Sequence, residues 1–522
     1  MAAVSSGITD VQEHEVKFAV DPAFVMPDLT LAGLPVVERQ RPVTLTATYY
    51  DTDDLRLARS KVTLRRRTGG KDAGWHLKML DDPKSPDVRS ELQLPLTRST
   101  TPPCELTELV AGLVRNAELL PLATMRTRRT PTVLSSRDRR TSLEIVDDVV
   151  TVVDGPVAGL TYRELEVEAL TRGASLDLVG ELLLQAGAAP GGHASKGARA
   201  LGAPDDLSPL VPLPVAADPA DPAAMVVRNH LRVHAAALLA QDVRVRRDLP
   251  DSVHQFRVAA RRLRSGLQAF APLVEPEWSA HLRDELGWIA GVLGAARDAE
   301  VLEEHLFEAV RALPPELDRA AGLVLIQDAL DTRITEAEQQ RRTAMSSRRY
   351  LDLLDALVAA AEVPRTTALG DQPADEVLPP LVRSRFKKLR RRADLLPDEI
   401  DGHDDDWHAA RIAGKKARYV GEAVAPVFGD QARRYVRQMT RVTELLGEHQ
   451  DCAIAADTVR SLVTRDTGPQ AAFTLGALYA QQRERVQRIR EEFVADWPTI
   501  SSRKWRRWLH EAGTEYVSDD GV

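Results

Sequence analysis

The chain has 522 residues, 43% of them hydrophobic and 28% charged, with a formal net charge of −8. That length leaves room for roughly two to four domains, each able to bury a core. The acidic balance excludes an indiscriminate nucleic-acid binder, whose surface is broadly basic, and makes any cationic cluster a local feature. Cys104 and Cys452 have neither a zinc nor a CxxC spacing. Met1 to Gln12 lacks the pattern of a secretory signal, and no apolar run approaches the ~20 residues that span a bilayer. The expected location is the cytoplasm.

From about residue 8 to 202 charges alternate with apolar residues, as on strands with two distinct faces. Glu13, Glu15 and Lys17 share one face. The pattern recurs at Arg65 and Arg67, at His76 and Lys78, at Arg89, Glu91 and Gln93, at Arg126 and Arg128, and at Glu164, Glu166 and Glu168. Asp51, Asp147 and Asp154 fall near strand ends or turns. A single strand of this kind turns its charges to water. Many in register suit a barrel interior, where unpaired buried charge requires a ligand. Arg and Lys match phosphate oxygens. Clustered carboxylates call for a hard divalent ion such as Mg²⁺ or Mn²⁺. Together they are a minimal kit for phosphoryl chemistry.

Residues 203–222 carry Pro204, Pro209, Pro212, Pro214, Pro219 and Pro222. That density excludes helix and central strand and predicts an extended linker. From 223 to 512 the Ala-, Leu- and Arg-rich sequence has helical periodicity throughout. A break at Val363 to Leu378 divides it into halves of about 223–362 and 376–512. The tail after Thr514 reads as loose.

The helical half contains an internal repeat. His254, Arg257, Arg261, Arg262 and Arg264 are matched 154 positions later (408 − 254) by His408, Arg411, Lys415, Lys416 and Arg418. The run Leu293 to Asp298, with Arg297, is matched by Leu446 to Asp451, which has Gln450 in place of the arginine. Repetition at this length means two copies of one structural unit. On a helix, offsets 0, 3, 7 and 10 span an arc of about 80°, so each copy is a stripe of cations. Phe256, Ala260, Leu263 and Leu267 lie opposite the first stripe and should face a core. Opposite the second lie Ala410, Gly414, Ala417 and Gly421, small enough for close helix packing. Two single-sign stripes repel themselves unless a polyanion neutralises them. A third basic run, Arg383 to Arg392, is read as a neighbouring helix adding cations to the same surface.

Glu13-His14-Glu15-Val16-Lys17 resembles the ExExK signature of the CYTH family, the triphosphate tunnel metalloenzymes. Leu64-Arg65-Arg66-Arg67, Leu77-Lys78, Arg89-Ser90-Glu91, Arg126-Thr127-Arg128, Glu164 to Glu168 and Ser195 to Arg199 follow in the family's order. Residues 223–512 resemble the CHAD domain. The resemblance implies an α+β fold, an eight-stranded antiparallel tunnel, followed by a separate all-α bundle with internal duplication. It implies Glu13, Glu15, Lys17 and Lys196 as catalytic residues. Arg65, Arg67, Lys78, Arg126 and Arg128 would grip phosphate. Glu13, Glu15, Asp147, Glu164, Glu166 and Glu168 would hold Mg²⁺ or Mn²⁺, with Asp147 open in register against Asp148. The helical stripes and Arg297 would bind inorganic polyphosphate. The expected activity is metal-dependent hydrolysis of inorganic triphosphate coupled to polyphosphate binding, with no membrane or specific nucleic acid as partner and association with polyphosphate granules. Alternatives are a non-catalytic polyphosphate clamp, a nucleotide cyclase or thiamine triphosphatase using Tyr49, Tyr50 or Trp75 to stack a ring, and RNA binding by the basic helices.

Overall fold

The computed structural model describes residues 8–80, 88–171, 173–191, 196–204, 206–396 and 404–511, and within these the side chains of all but 11–13, 88–89 and 510–511. The chain divides into two compact units, Met1–Leu210 and Val211–Val522. The tail after Thr514 and Ser195 lie outside the described residues.

Among the described residues, ten strands form the sheet of the first unit. They are β1 (Thr9–Val20), β2 (Val36–Arg39), β3 (Val43–Asp51), β4 (Thr63–Thr68), β5 (Gly74–Leu80), β6 (Val88–Pro95), β7 (Leu120–Ser135), β8 (Ser142–Asp154), β9 (Thr161–Ala169) and β10 (Ala189–Pro190). Eight run in the order β1-β6-β5-β4-β3-β7-β8-β9, and antiparallel pairing of β9 with β1 closes the ring. β2 extends the sheet beside β7, and β10 pairs with β1.

Closure gives the alternating sequence its meaning, because residues paired across strands point to the same side. The outer faces of β1, β8 and β9 offer Phe18, Leu143, Ile145, Leu165 and Val167, which pack with Val179 and Leu183 of helix α1 (Asp177–Gln185). The intervening charged residues of those strands therefore point inward. A second helix, α2 (Lys196–Ala200), brings Lys196 to the barrel, with Gly197 against Tyr49 and Thr63.

The proline-rich stretch forms no helix among its described residues, although Leu210 and Val211 are buried.

The second unit contains α3 (Ala223–Arg246), α4 (Ser252–Ala269), α5 (Pro276–Ala312), α6 (Arg319–Met345), α7 (Arg348–Glu362), α8 (Ala374–Ala393), α9 (Asp404–Leu462) and α10 (Pro469–Ile500). Helix α9 is two helices joined at Gly429, whose φ of 63° breaks the helical path. The duplication is visible in this order: α3, α4, α5 and α6 correspond to α8, the two halves of α9, and α10. The starts of α3 and α8 bond reciprocally, Ala223 N to the Gln372 carbonyl (2.9 Å) and Ala374 N to that of Asp221 (2.8 Å).

The residues expected opposite the cationic stripes are buried: Phe256, Ala260, Leu263 and Leu267 in α4, and Ala410, Gly414, Ala417 and Gly421 in α9. A Cβ at Gly421 would lie 2.8 Å from the Tyr435 ring, so only glycine permits that approach of the two halves of α9.

One imidazole of α3, His230, is buried and a second, His234, is half-buried. His230 donates from Nε2 to the Arg262 carbonyl at 3.0 Å and meets the His234 ring edge-on at 4.5 Å. Burial lowers their pKa values to about 4 and about 3. The unfolded chain binds protons below about pH 6.5 that the folded unit refuses, so stability is present above that pH and is lost as pH falls toward 4. The urea midpoint of the helical unit, followed by circular dichroism, should therefore fall on acidification. His234→Phe should flatten that dependence. An equally steep loss in this variant would assign the acid sensitivity to other groups.

Candidate active site and polyanion face

The tunnel has two chemically different walls. On one, Glu15 and Lys17 of β1 lie beside Glu168 and Glu166 of β9, and Glu144 and Asp148 of β8 lie beside Glu168 and Glu164. Lys17 Nζ is 3.2 Å from Glu15 and 3.4 Å from Glu166. Lys196 Nζ reaches Asp148, Glu164 (3.0 Å) and Glu166 (3.3 Å). Arg129 clamps both oxygens of Asp148, at 3.0 and 2.7 Å, and donates to Glu166 at 2.9 Å.

Glu166 is the hub of this network. Burial alone would raise its pKa, but Lys196, Lys17 and Arg129 hold it well below the carboxylate range. Its neighbours are less compensated: burial raises Glu164, Glu168 and Glu144.

The other wall comes from β4, β5 and β6. Buried Glu91 accepts from Arg65 (3.1 Å), pairs with His76 (2.8 Å) and lies 3.6 Å from Lys78. Burial lowers the His76 pKa to about 4 and that of Arg67 to about 9. The Nε atoms of Arg65 and Arg67 are buried with no hydrogen-bond partner. Unsatisfied cationic donors inside a barrel are costly until an anion completes them.

Glu15, Lys17, Arg65, Arg67, Lys78, Glu164, Glu166, Glu168 and Lys196 thus share the interior. Glu13 pairs with Arg89 through the backbone, but the side chains of both lie outside those described.

Three expected tunnel residues do not face it. Asp147 points outward, held by Arg163 through two 2.9 Å bonds, while Asp148 is fully buried inside. Arg126 and Arg128 are exposed on the outer face, and Arg129 takes the inward place. The reason is parity. Residues 126, 128 and 129 put arginines on both faces of β7, and only the pairing Arg129↔Asp148 and Thr127↔Val150 says which face is interior. The pairing shifts at Thr124/Met125, so counting along the strand does not settle it. Arg129 and Glu144 line the interior without having been expected there, and Asp148 takes the place left open between it and Asp147. The signal available was the apolar outer pattern of β8, in which Leu143 and Ile145 share parity with Asp147. Tyr49, Tyr50 and Trp75 are buried, and the Tyr50 and Trp75 rings pack 5.2 Å apart, so core packing accounts for that pair.

In the helical unit, the two cationic stripes meet. Lys415 is lowered to about 7 by burial and then by Arg411, Arg261 and Arg418, residues drawn from both repeats. Lys416 is lowered by burial and then by Arg385, Arg283, Lys388 and Arg264, which brings in the third basic run and one cation of α5. Asp451 acts electrostatically on Arg411 and Lys415, but less than burial does, and repulsion from Arg411 and Arg261 outweighs it at Lys415. Arg261 Nε, Arg411 Nε and Arg418 Nε are buried without a hydrogen-bond partner.

Other members are held by acids from elsewhere in the fold. Arg257 pairs with Asp298 at 2.6 and 3.0 Å, and Gly294 leaves room for its guanidinium. Arg262 and Arg418 each lie 3.5 Å from Glu422. His408 bonds Gln450 at 2.5 Å, Arg297 pairs with Glu300 at 3.0 Å, and His254 is exposed. The second repeated motif therefore tethers the first in both copies.

A closed antiparallel tunnel with opposed cationic and acidic walls and, in the same chain, a duplicated helical unit with one shared cationic face define a two-domain protein. The CYTH domain model matches residues 12–199 and the CHAD domain model 229–460, and the chain belongs to the CYTH–CHAD family. It is 34% identical over 506 residues to uncharacterised proteins of two Mycobacterium tuberculosis strains, covering 92% of this chain and 95% of theirs. Among solved structures, PptA from Streptomyces chartreusis is 25% identical with a TM-score of 0.47, covering 53% of this chain and 99% of that one. The CHAD domain from the plant Ricinus communis is 24% identical with a TM-score of 0.41, covering 57% and 94%. Among the described residues no helix is long and apolar enough to cross a membrane.

Proposed function

We propose that the tunnel hydrolyses inorganic triphosphate and that the helical unit binds inorganic polyphosphate. The observation that carries this reading is the tunnel's self-neutralised charge: Lys17, Lys196 and Arg129 are held by carboxylates on one wall, while Arg65 and Arg67 keep buried donors unmet on the other. A linear triphosphate offers oxygens to both sets of cations at once.

The cations that leave the carboxylates must be replaced. Among the described residues no three carboxylate, imidazole or thiol side chains already form a cage for an ion. The donors are nevertheless all carboxylate oxygens, which fits a hard ion of the Mg²⁺ or Mn²⁺ type. Glu15, Glu166 and Glu168 would hold it, and when bound it supplies Lewis-acid polarisation of a phosphate oxygen.

The chain's own groups do the rest. Glu164, a carboxylate of raised proton affinity, orients the attacking water and takes its proton. The water oxygen bonds to the terminal phosphorus as the anhydride P–O bond breaks, giving orthophosphate and diphosphate. Arg65, Arg67, Lys78 and Arg129 neutralise charge on the departing diphosphate.

The test is phosphate release from tripolyphosphate by the full chain with Mg²⁺, with Mn²⁺ and with a chelator. Metal-dependent release, with ATP and thiamine triphosphate turned over poorly, is expected. No release with any metal, alongside retained binding of long-chain polyphosphate, would make the tunnel a clamp.

A further inference from the structure

The turn from Gly69 to Ala73 joins β4 to β5 at one end of the tunnel. Gly69 and Gly70 both have positive φ, 82° and 77°, which lets the turn fold back sharply. The fold-back is used. The Asp72 carboxylate forms an ion pair with Arg67, and the Asp72 carbonyl accepts from His76 Nε2 at 3.0 Å.

Arg67 is the last inward cation of β4, and its side chain is only 5% exposed, whereas Asp72 is 47% exposed. The acid therefore sits at the mouth and the arginine just inside it. Lys71, in the same turn, acts electrostatically on Glu144 of β8. In the ring, β8 lies four strands from β5 in either direction, so the turn's charge reaches the opposite wall. Lys196 lies at the other end, where Gly197 meets Thr63, the first residue of β4.

We propose that the Gly69–Ala73 turn is a built-in end stop of the tunnel, in which the Asp72 carboxylate holds the place on Arg67 that the next phosphate of a longer chain would need. This rests on the reading that the tunnel takes a linear phosphate anion. A triphosphate running from the Lys196 end uses the unmet Nε of Arg67 and leaves the Asp72 latch on its Nη2 closed. A longer chain must displace Asp72 from Arg67 and cross the mouth. Asp72 is thus a specificity residue for chain length, and it contributes no group to the reacting phosphorus.

The experiment uses the full chain with Arg261, Arg411 and Lys415 changed to alanine in every arm, so that the helical face does not mask tunnel binding. Calorimetry then measures the affinity for tripolyphosphate and for a linear polyphosphate several times longer, with and without Asp72→Asn. Asn keeps the size and removes the charge. Asp72→Asn should tighten binding of the longer chain by about tenfold, the scale of one charge-assisted hydrogen bond, and that of tripolyphosphate by much less. The ratio of hydrolysis rates for the two chains should move the same way. An unchanged affinity ratio overturns the end stop. Tripolyphosphate bound but not cleaved, with the ratio still shifted, overturns the hydrolase reading and leaves the end stop standing. Tripolyphosphate bound by no variant overturns both.

Discussion

Glu166→Gln should lower tripolyphosphate turnover by about 10²- to 10³-fold, the usual cost of removing one preorganised electrostatic group. Lys17, Lys196 and Arg129 all contact Glu166, at 3.4, 3.3 and 2.9 Å. Glutamine preserves its shape and removes the charge that positions all three cations. The loss should fall on kcat, because the arginines of the facing wall still bind the anion. Thermal unfolding of the helical unit should be unchanged. Asp148→Asn should behave alike, since Asp148 is fully buried between Arg129 and Lys196, whereas Asp147→Asn, which only frees Arg163 on the outer face, should leave turnover within about threefold of the parent. Near-normal turnover in Glu166→Gln, or an equal loss in Asp147→Asn, would remove the site from the tunnel.

Arg261→Ala combined with Arg411→Ala should weaken binding of long-chain polyphosphate by about 10²-fold or more, because each arginine supplies charge-assisted bonds to the same ligand. The two come from different repeats, and both act on Lys415. Their Nε donors are buried and unmet, so the free protein pays for a face that only an anion completes.

The same crowding has a pH signature. Free Lys415 has its pKa lowered to about 7, and a bound polyanion favours its protonated form. Binding then takes up a proton above pH 7, and affinity falls as pH rises, by up to about tenfold per unit for one linked proton. Lys415→Arg stays charged and should abolish this slope. A wild-type affinity flat between pH 6 and 9 would show that Lys415 lies outside the binding face.

Much of this was legible without coordinates. Glu15 and Lys17, Arg65 and Arg67, and Glu164, Glu166 and Glu168 advertise inward faces because a strand alternates strictly and their neighbours Phe18, Leu64 and Leu165 are apolar. The stripes of α4 and α9 are equally plain, since Phe256 and Leu263 opposite Arg257 and Arg261 leave the helix one way to pack. These are local properties, set by periods of two and 3.6 residues. What local pattern does not contain is parity where both faces are charged, and proximity between distant segments. Arg126, Arg128 and Arg129 could be sorted only by the pairing of β7 with β8, and the same register puts Asp147 outside and Asp148 inside, in line with the parity of Leu143 and Ile145. The meeting of Arg261 with Arg411 and Lys415 depends on how two repeats 154 residues apart pack, and the latch of Asp72 on Arg67 depends on a turn folding over a mouth that exists only once the barrel closes. Sequence determined which side chains would be charged and which face of each element they share; tertiary structure decided which of those charges would be left facing one another without a partner, because register and packing are properties of contacts the chain makes far from itself.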